Sequence, residues 1–171
     1  ANLRALLSLQ WTWPGKKTLF MGCEFGQWKE WDFDSAIDWA LLELPLHGGL
    51  LKLVGDLNRN YLEHPSWAKT DHQEAKFRWV DCHDREGQTL SFLRFGDGRE
   101  EALLIVCNFS NQLAHREWGC PFSGDWKVLL DSDSPDYGGE GAAGDPRFVA
   151  MDHACHDLPY ALSVPVGRWS V

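Results

Sequence analysis

The residues best equipped for chemistry lie in Gly22-Cys23-Glu24-Phe25-Gly26-Gln27 and its continuation, Trp28-Lys29-Glu30-Trp31. They come directly after the apolar run Thr18–Met21. A carboxylate and an amide can take sugar hydroxyls, while flat indole faces cover the apolar faces of a pyranose ring. Glu24, Glu30, Asp32 and Asp34 add an acidic cluster to the same stretch. Glycoside chemistry uses two carboxyl groups, roughly 5 Å apart in retaining enzymes. Nothing in the spacing here demands such a pair, and an acidic loop is ordinarily just solvated. Glu24 is expected to contact substrate or to support a site, with a plain salt bridge as the alternative reading. Among the tryptophans, Trp39 within Ile37-Asp38-Trp39 is expected in the core. Trp31 and Trp79 have polar or charged neighbours and are candidates for sugar stacking.

Two further groupings carry less. Gly139-Glu140-Gly141-Ala142-Ala143-Gly144 has the spacing of a dinucleotide-binding loop. That motif needs a strand running into it and a helix leaving it, whereas Asp145-Pro146 comes next here and Pro disfavours a continuous helix. His153, Cys155 and His156, with Asp152 and Asp157, have donor types suited to a metal but none of the usual zinc spacings, so no metal site is expected. No nucleophile-elbow pattern is present.

The elements that must position these residues fall into two halves. Leu3, Leu6, Leu7 and Gln10 show helical spacing, and Trp13-Pro14-Gly15 stops that helix. Thr18–Met21 reads as a short strand; its lack of alternation fits a parallel strand covered on both faces. Residues 23–34 read as a loop. Pro45 opens a second helix with an apolar stripe of Leu46, Leu50, Leu53, Val54, Leu57 and Tyr61. Helix, strand, loop and helix make a piece of α/β architecture. After residue 64 the period changes. Phe77–Val80, Thr89–Phe95, Ala102–Phe109, Gln112–Trp118, Trp126–Leu130, Arg147–Met151, Tyr160–Val164 and Arg168–Val171 are short runs between Gly, Asp, Asn and Pro, which predicts an all-β sandwich. The expected division is 1–64 and 77–171, with 65–76 as linker. Residues 131–145, rich in Asp, Ser and Gly, read as a long surface loop.

Composition narrows the partners. The chain has 171 residues and a formal net charge of −9, with no Lys/Arg run, so nucleic acid is not an expected partner. No apolar run approaches the roughly 20 residues that cross a membrane. Ten tryptophans are a surplus that suggests stacking surfaces. The five cysteines, Cys23, Cys82, Cys107, Cys120 and Cys155, are odd in number and show no framework, which predicts reduced thiols in a cytoplasmic protein. The chain opens on Ala1-Asn2-Leu3-Arg4, inside an apolar-periodic pattern, as a piece of something longer would.

These residues together resemble the C-terminal end of glycogen branching enzymes, members of the α-amylase superfamily. The resemblance is carried by Pro14-Gly15-Lys16-Lys17, Leu19-Phe20-Met21-Gly22, Glu24-Phe25, Glu30-Trp31, Asp38-Trp39 and Asp56-Leu57-Asn58. It continues through Phe77 with Trp79, Asn108-Phe109, Asp131-Ser132-Asp133 and Tyr137-Gly138-Gly139, in order along nearly the whole chain. It implies that residues 1–64 are the end of a (β/α)8 barrel, its last strand and flanking helices, followed by the all-β sandwich C-terminal domain. Such enzymes cleave an α-1,4 glucan link through a covalent glycosyl intermediate and pass the piece to a 6-hydroxyl, without an organic cofactor. The nucleophile, acid/base and supporting aspartate of that mechanism would precede Ala1, so the resemblance places no catalytic residue here and implies an inactive fragment. It leaves Glu24, Trp31 and Trp79 as substrate-binding candidates, with Trp79 at a position where related enzymes hold glucan outside the active cleft. Its implied partners are α-glucan or glycogen and the rest of the barrel, with self-association of the isolated piece. The family usually has Asn where Cys23 stands, and a thiol cannot replace the hydrogen bonds of an amide. The alternatives are a non-catalytic glucan-binding or structural module, or another amylase-superfamily hydrolase such as a debranching or trehalose-forming enzyme.

Overall fold

The computed structural model describes residues 1–98, 101–144 and 146–171, without the side chains of Pro65 and Ser66. Helix α1 spans Asn2–Thr12 and ends where Trp13 turns extended ahead of Pro14. Helix α2 runs Pro45–Glu63, with Pro at its first turn, where a missing N–H costs nothing. The short helix α3 covers Pro65–Ala68. Leu50, Leu53, Val54 and Leu57 of α2 pack on Leu7 and Trp11 of α1 and on Trp67. Leu46, expected in the same stripe, lies 66% exposed one turn before that contact begins.

Seven strands complete the chain among the described residues: β1 Phe77–Asp81, β2 Thr89–Phe95, β3 Ala102–Asn108, β4 Ala114–Cys120, β5 Gly124–Lys127, β6 Arg147–Ala150 and β7 Tyr160–Val166. They pair antiparallel as β1-β2-β3, β4-β7 and β5-β6, the all-β architecture expected for this part of the chain. The final run 168–171 forms only a bridge from Ser170 to Asn108.

The three-stranded sheet is covered on both faces. Phe92, Ile105 and Cys107 pack with Leu9 of α1, and Leu103 also reaches the helical core. Leu104 and Val106 face the other way, against Ala114, Trp118, Val164 and Val166 of β4-β7. Alternating side chains of β3 therefore enter two different cores. This explains why Leu103-Leu104-Ile105-Val106-Cys107 is apolar without a break: a sheet with one wet face would alternate.

Two buried arginines fasten the helical layer. Arg94 on β2, fully buried, donates to the carbonyls of Thr12 (2.9 Å) and Trp67 (2.9 Å) and to Asp71 (2.8 Å). It thereby takes one of the carbonyls that the end of α1 leaves without a helical partner. Arg4 on α1 donates to the carbonyls of Ser132 and Gly138 and pairs with Asp133 at 3.2 Å. The stretch expected as a surface loop is thus partly internal, with Ser132 and Asp133 buried and Tyr137 packed into the helical core. Its polar composition reflects hydrogen bonding to Arg4, which composition alone cannot distinguish from solvation. Its last residue, Asp145, lies outside the described residues.

Candidate functional site

The run Thr18–Met21 forms no strand. A parallel strand needs neighbours to bond, and no described strand pairs with it; Leu19, Phe20 and Met21 are 38, 58 and 54% exposed. The chain then enters a short 3-10 turn, Cys23–Phe25, bracketed by Gly22 (φ 80°) and Gly26 (φ 69°) in the left-handed region that favours glycine. Phe25 is completely buried, and its carbonyl sits 2.7 Å from Nδ1 of His47 on α2. The Gln27 side chain accepts from the Asp38 backbone N–H (2.8 Å) and donates to the Lys29 carbonyl (3.0 Å). The amide expected to serve a sugar is therefore used to fold the loop. Cys23 is exposed and unpaired with any other described cysteine.

Glu24, half-buried in this turn, lines a shallow hollow of about 530 Å³ with Leu19, Phe20, Met21, Leu51 and Asn58. Trp31, 43% exposed, stands edge-on against Phe20 with ring centroids 5.3 Å apart. Phe20 thus links Glu24 and Trp31, bringing two of the three candidates to one place. The remaining acids Glu30, Asp32 and Asp34 are exposed, and Asp32 caps the Asp34 backbone N–H locally. Trp39, expected in the core, is 57% exposed: it lies over Phe25 in a five-residue 3-10 turn, Trp39–Glu43, with its outer face uncovered.

Trp79 is elsewhere. It projects from β1 opposite Phe92 of β2, 40% exposed, and its ring lies 5.6 Å from Trp13, 5.2 Å from Phe77 and 5.9 Å from Phe92. Trp13 is itself 40% exposed, so two indoles share one surface where α1 ends against β1. Tilted and edge-on rings of this kind hold one another while leaving faces open. In the sequence Trp13 signals only a helix stop; it lies 66 positions from Trp79 (79 − 13), and nothing local signals that they meet.

A second hollow of about 170 Å³ lies between α1, Trp67, β3, β7 and residues 126–131. Its lining is mostly apolar and none of the three candidates reaches it. Among the described residues no group of three or more His, Cys, Asp or Glu converges as metal ligands. The dinucleotide-like stretch is entered from the 3-10 turn Pro135–Tyr137 and leads to strand β6, so it opens no helix. Beside the helical core, Asp71 pairs with Arg94 and Lys17 and accepts the Tyr61 hydroxyl (2.5 Å). Burial, helped by Asp71, pushes the Tyr61 phenol up to about 12, and burial holds the Lys17 ammonium below its ordinary value despite Asp71. These groups are mutually satisfied and structural.

Comparison with known proteins gives the following. Residues 79–171 match the family described as the alpha amylase C-terminal all-beta domain. Over all of the chain, a 1,4-alpha-glucan branching enzyme GlgB of Aquifex aeolicus is 45% identical, the match covering 27% of that protein. The same-named enzyme of Pseudomonas putida is 44% identical over 96% of the chain and 22% of its own length, and that of Rhodospirillum rubrum 44% over 81% and 19%. The chain thus spans 19 to 27% of the length of these relatives. No described helix is long and apolar enough to cross a membrane. With a family match over residues 79–171 and antiparallel sheets through that region, the chain belongs to the family of the α-amylase C-terminal all-β domain.

Proposed function

We propose that this chain is the C-terminal part of a cytoplasmic 1,4-α-glucan branching enzyme, which forms α-1,6 branches in glycogen. The observation that carries the reading is similarity at 45% identity along the entire chain, including residues 1–78 outside the all-β domain. In this reading residues 1–64 end a (β/α)8 barrel and residues 77–171 are the β-sandwich, with 65–76 between them. The exposed side chains Phe20, Met21, Trp28, Phe33, Leu46 and Leu62 fit a surface that the rest of the barrel covers. Glu24 and Trp31 then line one wall of the substrate cleft, and the Trp13–Trp79 surface holds α-glucan away from it. The carboxylates that make and break glycosidic bonds belong to the preceding part of the parent chain, so this piece alone is inactive.

The test is a chimera. This chain replaces the corresponding C-terminal part of the Aquifex aeolicus relative, and α-1,6 linkages formed from amylose are counted by proton NMR. Branching by the chimera supports the reading. A chimera that melts like its parent yet forms no branches refutes it.

A further inference from the structure

We propose that His47 is a positioning residue: by bonding the turn Cys23–Phe25 to α2 it holds Glu24 in the wall of the cleft that takes α-glucan. The inference rests on the assignment of Glu24 to that cleft.

The two walls of the Glu24 hollow come from different elements. Leu51, Val54, Gly55 and Asn58 of α2 form one, and Leu19, Phe20, Met21 and Glu24 the other. The α2 wall is fixed. Leu53 and Leu57 of the same helix are completely buried in the helical core, and Asn58 accepts the indole N–H of Trp11 at 3.0 Å. The opposite wall has no strand ladder to hold it. Gln10 of α1 donates to the Thr18 carbonyl at its start, and from there Leu19, Phe20 and Met21 run exposed to Gly22.

The turn that ends this wall is seated by Phe25 and oriented by His47. Burial of the Phe25 ring is non-directional, so alone it leaves the facing of the turn open. The contacts of Leu3 and Leu50 at Gly26 are apolar and equally undirected. The backbone hydrogen bonds of the turn close on the segment itself: Cys23 to Phe20, Gly26 to Cys23 and Gln27 to Gly22. The Gln27 side chain bonds Lys29 and Asp38 of the same loop. Among the described residues the hydrogen bond that joins the turn to α2 is that of His47, whose Nδ1 lies 2.7 Å from the Phe25 carbonyl oxygen. A hydrogen bond has direction, and this one falls on the residue next to Glu24.

Helical spacing puts the donor where the wall needs it. His47 precedes Leu51 by four residues (51 − 47) and Asn58 by eleven (58 − 47), so it stands on the face of α2 that lines the hollow. A carbonyl oxygen can only accept, so Nδ1 carries the proton. The neutral ring in this tautomer and the imidazolium both keep that N–H, and the tie therefore does not depend on the charge of the ring. Trp28 stands edge-on to the imidazole, with ring centroids 5.1 Å apart, and backs it from the loop side.

The experiment uses the chimera of this chain with the Aquifex aeolicus relative and measures initial branching rates against amylose concentration. His47→Leu keeps much of the bulk of the ring without its donor. It is expected to raise KM about three- to tenfold, the effect of one hydrogen bond, with kcat within about twofold of the unsubstituted chimera. Damage to folding alone would lower the active fraction, and with it kcat, and leave KM. His47→Asn, whose side-chain amide can donate in place of Nδ1, is expected to restore KM to within about twofold. Glu24→Ala is expected to raise KM as well, and adding His47→Leu to it to raise KM no further, because the two act through one contact. An unchanged KM in His47→Leu, no rescue by His47→Asn, or losses that multiply in the double variant overturns the proposal. Glu24→Ala with an unchanged KM in an active chimera refutes the cleft assignment and the proposal with it. A folded chimera that forms no branches refutes the parent reading instead. The tie is then decided on the chain itself by hydrogen exchange of the Cys23, Gly26 and Gln27 amides: faster exchange in His47→Leu than in wild type and His47→Asn supports it, and equal rates overturn it.

Discussion

Replacing Arg94 by Met tests whether the helical layer and the β layers stand or fall together. The side chain is 1% exposed, and its guanidinium serves Thr12 at the end of α1, Trp67 in α3 and Asp71. Met keeps most of the apolar stem but leaves two buried carbonyls without a donor. Asp71 retains Lys17 and the Tyr61 hydroxyl, so its own penalty is limited. Charge-assisted hydrogen bonds contribute about 1.5–3 kcal/mol each, and breaking a buried ionic contact from one side costs about 3–5 kcal/mol. The expected loss is therefore about 3–5 kcal/mol, a large share of the roughly 5–15 kcal/mol that holds a domain folded. With urea slopes of about 1–3 kcal/mol/M, taken toward the upper end for 171 residues, the midpoint falls by about 1–2 M. The assay is urea unfolding followed in parallel by tryptophan fluorescence and far-ultraviolet circular dichroism. Coincident curves shifted together support the reasoning. A midpoint change under about 0.5 M, or a helical transition that separates from an unshifted β transition, refutes it.

Further outcomes are expected from the same structure. Trp79→Ala should weaken maltooligosaccharide binding about three- to tenfold by calorimetry, the contribution of one aromatic stack, and should also lower the melting temperature, because the indole packs on Trp13, Phe77 and Phe92; binding is therefore read well below the melting transition. Gly139→Ala places a Cβ on the Asp133 backbone; it should lower the urea midpoint, by at least about 1 kcal/mol of stability. Burial works against ionised Asp56 and Asp84, yet Tyr137, Lys52 and Arg59 around Asp56, and Thr89, Gly87 and Arg116 around Asp84, outweigh it and hold both carboxyls below their usual value. A carboxyl with a depressed folded value contributes stability above its unfolded pKa of about 3.9 and loses it as pH falls further, so the urea midpoint should drop as pH is lowered through that region. Burial pushes the Cys107 thiol far up and Cys120 up to about 11. A thiol reagent should therefore label exposed Cys23 and Cys82 in the folded chain and reach Cys107 only on unfolding. The isolated chain should self-associate and bind an apolar dye through its exposed Phe20, Phe33, Leu46 and Leu62; a monodisperse monomer that leaves the dye dark would refute this.

How much of this is legible in the sequence depends on whether the signal is local. The strand runs Thr89–Phe95 and Ala102–Phe109 sit within a residue of β2 and β3 because turn residues bound them on both sides. Pro45 marks the start of α2 for a reason confined to its own ring. Thr18–Met21 misleads because apolar residues in an extended run make a strand only when another strand bonds them. Trp39 misleads similarly: a large ring between apolar neighbours looks internal, but here one side has Phe25 and the other has nothing. The aromatic group at Trp79 is half visible, since Phe77 and Phe92 lie on the paired strands while Trp13 comes from the end of α1. The His47 contact is invisible: in the α2 run it is one polar residue among others, and only the fold brings the Phe25 carbonyl to its ring.

The double cover of β1-β2-β3 bears on how such a module travels between proteins. The sequence family begins at residue 79, yet Phe92, Ile105 and Cys107 need Leu9 of α1, and Trp79 needs Trp13. A graft cut at that border would arrive with one side of its sheet bare and its outermost indole stripped of a neighbour. A graft that begins before Asn2 would bring its own lining. The recombinable unit is then set by what the sheet leans on, and it starts nearly eighty residues ahead of the point where sequence similarity to the wider family begins.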